Sequence, residues 1–150
     1  MLRGIPECLS PELLKTIAEM GHGDTIVIGD AFYPAASNAI KAGAKLVRAD
    51  GVRATDIIDG ILTLMPLDVD YEEHPFIIMD LMEKDKGRVP TPTVWAEYKD
   101  IVKKHEPKGE DCIGYLERYD FYEAANHAYA VVATGETNVY ACVIMQKGIR

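Results

Sequence analysis

Apolar side chains recur along the chain with two periods, and the switches between them predict alternating helices and strands. Leu13, Leu14, Ile17, Ala18 and Met20 repeat at helical spacing behind Ser10-Pro11-Glu12. That triplet supplies an N-cap serine, a proline at the first helical position and an acid in the first turn. Gly21 is a suitable helix stop. Residues 25–28 are a β-rich apolar run of strand length, broken by Gly29, Asp30 and Pro34. Residues 35–42 predict a short helix closed by Gly43, residues 45–48 a second strand, and Ala49-Asp50-Gly51 a turn. Thr55 stands where a cap would precede the stripe Ile57, Ile58, Ile61, Leu62 and Met65, which Pro66 ends.

The second half repeats the alternation. Residues 67–75 are acidic and irregular, and residues 76–79 are the continuous apolar run of a strand buried on both faces. A charged loop over 83–90 leads to Thr91-Pro92, which predicts a helix start like that at Ser10-Pro11. Its stripe is Val94, Trp95, Tyr98, Ile101 and Val102, and Lys103, Lys104 and His105 in its last turn read as a solvated helix end. Strands over 112–116, 129–133 and 139–145 and a helix over 118–127 complete the pattern. With no internal repeat and no linker, the expectation is one α/β domain, residues 1–150, with a mostly parallel sheet flanked by helices.

Composition narrows the function classes. The 150 residues are 48% hydrophobic and 27% charged, enough apolar surface for a core and no signature of disorder. A net charge of -8 argues against nucleic acid or an anionic membrane as the main partner. No apolar run reaches the length of a transmembrane helix, and Met1-Leu2-Arg3-Gly4-Ile5-Pro6 is too short and polar for a signal peptide. Three cysteines, Cys8, Cys112 and Cys142, widely spaced and without a C-x-x-C, fit a reduced cytoplasmic protein. The four histidines, His22, His74, His105 and His127, have no zinc-type spacing, and no glycine-rich nucleotide loop or G-x-S-x-G elbow occurs. Neither a metal nor a cofactor is indicated.

Polar candidates remain near chain turns. His22 precedes the first strand and Asp30 follows it, where ligands bind in open α/β sheets. A histidine can exchange a proton near neutral pH and an aspartate can hold a polar ligand. The plainer alternative is that His22 caps a turn and Asp30 ends a strand. For the two to act together, the fold or a second subunit must bring them close. Arg118 begins a helix, where the dipole disfavours a cation, so it needs a partner. Tyr140 reads as a half-buried strand residue whose hydroxyl could reach a ligand, and Cys142 as a buried thiol within that strand.

Several segments, taken in order, resemble the ribose pyranase/fucose mutarotase family. They are Leu9-Ser10-Pro11-Glu12-Leu13-Leu14, Met20-Gly21-His22-Gly23-Asp24, Gly29-Asp30-Ala31 through Pro34, and Arg48-Ala49-Asp50-Gly51. Arg118-Tyr119-Asp120-Phe121-Tyr122-Glu123 and Thr134-Gly135-Glu136 with Tyr140 and Lys147-Gly148 follow. Arg48-Ala49-Asp50-Gly51 and the Arg118 segment are similar to the L-fucose branch. The resemblance implies interconversion of monosaccharide anomers without cofactor or metal, in ring-shaped, decamer-type homo-oligomers with sites near subunit interfaces. It places His22 at the catalytic position, and Asp30, Arg118, Tyr140, Ala141 and Cys142 at substrate-binding positions. Two positions depart from it: Tyr140-Ala141-Cys142 stands where the family has Tyr-x-Asn, and Phe32 where histidine or asparagine is frequent. A D-ribose pyranase-type exchange and a non-catalytic sugar-binding module are the alternatives. Mutarotation opens a hemiacetal and closes it on the other face, so one acid–base group and good positioning suffice.

Overall fold

The computed structural model describes residues 2–150. Helix α1 (Pro11–Glu19) starts as its serine predicts, with the Ser10 hydroxyl accepting from the Leu13 N–H at 3.1 Å. It ends through Met20, whose backbone is extended, so Gly21 is not a left-handed cap; the left-handed glycine is Gly23, in the turn before β1 (Thr25–Gly29). Helix α2 (Ala35–Ala42) closes on Gly43 at φ 62°, and β2 (Lys45–Ala49) follows. Thr55 does not cap α3 (Ala54–Leu64): the chain leaves the Gly51 turn so that Arg53 is the extended N-cap, and Thr55 is buried in the first turn.

After β3 (Phe76–Met79), helix α4 (Val94–His105) starts later than Thr91-Pro92 suggests, because the chain first makes two short turns, Trp95 N to Pro92 O and Ala96 N to Thr93 O. The basic end of α4 is more than a solvated terminus. Lys104 and His105 reach Asp59 of α3 at 2.9 and 2.7 Å, and Lys103 reaches Glu110 at 3.2 Å. Cys112 lies in a 3-10 turn (Gly109–Cys112) rather than in β4 (Ile113–Leu116). Helix α5 (Arg118–Ala125), β5 (Ala130–Thr134) and β6 (Val143–Gln146) complete the chain.

The strands form one sheet in the order β2-β5-β1-β6-β3-β4. All neighbours pair in parallel except β6, which runs antiparallel to both β1 and β3. The sheet is therefore mostly parallel, as expected, with β6 as its one reversed strand. Side chains alternate across it. Ile26 and Ile28 pack with the apolar faces of α1, α3 and α4, and Val27 packs on the other side with Ala39 of α2 and Phe121 and Ala125 of α5. Because β6 is reversed, its first residue lies at the carboxyl ends of β1 and β3, and the segment leading into it meets the loops that leave those strands.

That segment is where strand periodicity misleads. The apolar run predicts a strand over 139–145, but the ladder covers only Val143–Gln146. Side chains take the backbone groups that a strand would have used. Trp95 Nε1 donates to the Tyr140 carbonyl at 2.8 Å, the Tyr98 hydroxyl donates to the Ala141 carbonyl at 2.7 Å, and the Ala141 N–H donates to Asp30 Oδ2 at 3.4 Å. Tyr140 is thus a loop residue, held at φ 55°.

The loop also depends on one glycine. A Cβ on Gly135 would sit 2.6 Å from the Gly51 backbone nitrogen, and the Gly135 N–H donates to the Val52 carbonyl at 2.8 Å. Overpacking of this kind costs about 1–3 kcal/mol. Gly135→Ala should lose that amount in urea denaturation; a variant as stable as wild type would show that the 49–52 and 134–136 segments separate freely.

Candidate functional site

The loops at the carboxyl ends of β1 and β3 and the start of α5 enclose a cleft of about 220 Å³. Asp30, Phe32, Tyr33, Arg118, Tyr140 and Cys142 are among its lining residues. Of the sequence candidates, Asp30, Arg118, Tyr140 and Cys142 therefore meet, and Ala141 is fully buried behind them.

Each side chain is aimed by its element. Asp30 follows β1 directly, and its Oδ1 accepts the Phe32 N–H at 3.0 Å, a tight local turn. Burial raises its pKa above the ordinary aspartate value, and the bonds from Phe32, Cys142 and Ala141 only partly offset that. Arg118 is the first residue of α5. Among the described residues its guanidinium has no carboxylate partner. Nε donates to the Tyr122 hydroxyl at 3.2 Å, and Cζ lies 5.9 and 5.5 Å from the Tyr119 and Tyr122 ring centroids. Aromatic faces, rather than a counter-ion, answer the expectation of a partner at this unfavourable helix end. Cys142 is only 2% exposed; its Sγ accepts the Asp30 N–H at 3.5 Å, and burial pushes its thiol well above the usual range. A thiol in that position buttresses Asp30 and leaves little surface for a ligand.

His22 is not in this cleft. It sits at the opposite end of β1, and the five residues of that strand at about 3.3 Å each put roughly 17 Å between the two ends. There its Nε2 lies 2.9 Å from Asp68 Oδ2, which also accepts from Gln146 Nε2 at 3.0 Å, and its ring stands 5.1 Å from that of Tyr71. Asp68 is buried, its Oδ1 has no hydrogen-bond partner, and the His22 side chain is 42% exposed. The fold thus leaves the two ends of β1 apart. Sequence reading missed Asp68 because it is one of several acids in an irregular stretch, and nothing local separates it from Asp70, Glu72 or Glu73. It also missed Asp85, a buried acid of the charged 83–90 loop whose Oδ2 accepts from the Tyr140 hydroxyl. Among the described residues no group of three or more His, Cys, Asp or Glu is placed to hold a metal ion, and no helix is long and apolar enough to cross a membrane.

Comparison with known proteins gives consistent relatives. A model of the RbsD / FucU transport protein family matches residues 3–150. The fucose mutarotase of Homo sapiens is 43% identical over 99% of this chain and 94% of its own length. The solved structure of the fucose mutarotase from Streptococcus pneumoniae in complex with L-fucose superposes with a TM-score of 0.89 at 45% identity, covering 99% of both chains. FucU from Bifidobacterium longum superposes with a TM-score of 0.92 at 42% identity, again over 99% of both chains.

The raised pKa of Asp30 carries a signed consequence. The folded state holds this proton to higher pH than the unfolded state, so the stability it contributes is present below the ordinary aspartate value and is lost as pH rises through the folded value. Asp30→Asn cannot ionise and escapes that loss. Its melting temperature relative to wild type should therefore climb as pH is raised from about 4 to 7; a difference that is flat or falls with pH would contradict the desolvated carboxylate.

Proposed function

The chain belongs to the RbsD / FucU transport protein family, and on that premise we propose that it is an isomerase, a mutarotase interconverting the α and β anomers of L-fucose. The observation that carries this reading is the cleft itself: a carboxylate, a guanidinium and a phenol converge from separate loops on a small-molecule space, amid aromatic side chains. Asp30 accepts from sugar hydroxyls, Arg118 donates to sugar oxygens, and Phe32 and Tyr33 offer apolar faces to the C–H surface of the ring. The full-length likeness to fucose mutarotases, one of them solved with L-fucose, supports L-fucose over D-ribose.

The reaction needs a proton delivered to the ring oxygen and one removed from the anomeric hydroxyl, then the reverse on the other face. His22 is the proposed acid–base group. A carboxylate only accepts, so a proton on Nε2 is directed to Asp68 and the other ring nitrogen is left to take and give protons. Gly21 and Gly23 flank it in a turn tied to β6, with the Gly23 N–H donating to the Lys147 carbonyl at 2.9 Å. Since β1 holds His22 away from the cleft of its own chain, a second copy supplies it, and the working unit is a ring-shaped homo-oligomer in the cytoplasm. Neither metal nor cofactor is required, because positioning and one acid–base group cover the chemistry.

One observation favours a second reading, a sugar-binding module without turnover: the Cys142 side chain, at the position where the resemblance implies asparagine, is occupied by Asp30. The His22–Asp68 pair argues against it, because binding alone has no use for a half-exposed histidine aligned by a buried acid.

Saturation-transfer NMR on a panel of deoxy- and aldo-sugars tests the proposal. Exchange between anomeric protons should accelerate most for L-fucose; a folded protein that accelerates no sugar would refute it. His22→Ala should cut that acceleration by roughly 100-fold or more in a protein that remains folded. Light scattering at micromolar concentration should give a mass well above the 16.6 kDa of one chain. A monomer that still accelerates exchange would remove the need for a second copy.

A further inference from the structure

Tyr140 has a conformation that needs a cause. It is the one described non-glycine residue with positive φ, a strained arrangement that persists only where the surroundings hold it. The left-handed backbone sends its side chain to the 82–89 loop. There the phenol oxygen lies 2.5 Å from Asp85 Oδ2 and receives the Met82 N–H at 3.4 Å. Asp85 is fixed in turn. Its N–H donates to the Met82 carbonyl at 2.8 Å, its carbonyl accepts from Arg88 and Val89 N–H at 3.1 and 2.8 Å, and Arg88 holds its Oδ1. The phenol and Arg88 together hold the Asp85 carboxyl below the usual carboxylate range.

An ionised carboxylate has no proton to give, so at a separation this short the phenol is the donor. Its proton is committed to Asp85, so beyond the Met82 N–H it already receives, the oxygen has only acceptor capacity to offer the cleft it lines. Arg118, at the same cleft, has protons and no lone pairs. The two groups therefore present opposite polarity to a ligand.

We propose that Asp85 is a positioning residue that accepts the Tyr140 hydroxyl hydrogen bond and so fixes the phenol oxygen as a hydrogen-bond acceptor toward the cleft, selecting a ligand with a hydroxyl donor at that point. The proposal rests on the reading of the cleft as a monosaccharide site. A ring oxygen, ether or fluorine opposite Tyr140 would set lone pair against lone pair.

The test is a double-mutant cycle read as L-fucose affinity by calorimetry, which needs no turnover. Tyr140→Phe and Asp85→Ala should each weaken binding about threefold to tenfold, and the double variant should be no weaker than Tyr140→Phe alone. In parallel, the tyrosine Cζ resonance of Tyr140 should titrate at lower pH in Asp85→Ala than in wild type, since the acceptor that holds its proton is gone. A residue that merely braced the loop would give additive losses and leave that titration in place. The ligand side is read on wild type, independently of whether Asp85→Ala folds. Among monofluorinated L-fucoses, one should bind wild type about threefold to tenfold more weakly than L-fucose, and that discrimination should vanish in Tyr140→Phe. Additive losses, or fluorinated analogues that all discriminate equally in both proteins, would overturn the role of Asp85 while leaving the sugar site standing. Failure of wild type to bind any sugar would overturn both.

Discussion

A reversed strand in the middle of a parallel sheet is the constraint on which this molecule depends. β6 inserts between β1 and β3 against their direction, so the chain must arrive at their carboxyl ends, in the place where an α/β fold keeps its ligands. In the arriving segment Tyr140 and Ala141 lie outside the ladder and Ala141 is fully buried, and each buried backbone group left unpaired there would cost about 1–3 kcal/mol. Trp95 and Tyr98 from α4 and Asp30 from β1 meet that need. The cleft is built from the same contacts, so its geometry is a by-product of satisfying the backbone. Asp30 serves both the loop and the proposed ligand.

This double use explains the electrostatics. A carboxylate that braces a buried loop is necessarily desolvated, and its raised pKa follows from burial rather than from a neighbouring charge. Asp85 is the opposite case: an acid pulled below the ordinary range by a phenol and a guanidinium. Two carboxyl groups on either side of the same loop thus have opposite tendencies, one toward holding a proton and one toward giving it up. Arg118 lines the cleft beside Asp30 without an ion pair, resting on tyrosine rings, so its charge is not already spent on a protein partner.

Much of the fold was legible because local signals agreed with tertiary structure. The Ser10 cap, the Gly43 stop and the continuous apolar runs of β1 and β3 act over a few residues, and their elements formed where expected. The misreadings share a cause, which is that distant groups decided them. Residues 139–142 have the composition of a strand, but side chains from α4 and Asp30 claimed the hydrogen bonds of Tyr140 and Ala141. Thr55 has the chemistry of a cap, but the Gly51 turn delivered the helix start two residues earlier, with Arg53 at the cap position. Asp30, Arg118 and Tyr140 could be singled out through their family motifs, whereas Asp68 and Asp85 lie in acid-rich loops where only three-dimensional contact distinguishes one carboxylate from the next.

β1 acts as a strut with a different chemical group at each tip. On the proposed reading, a chain alone is a receptor that holds a sugar, and the histidine it carries serves a neighbour's cleft. Catalysis is then a property of the contact between copies, and dissociation would turn an enzyme into a lectin-like protein without moving an atom of its binding pocket. Selection on assembly and selection on turnover would fall on the same surface. Two variants each silent alone, one damaged at the histidine tip and one at the carboxylate tip, would restore a working site wherever their intact halves met.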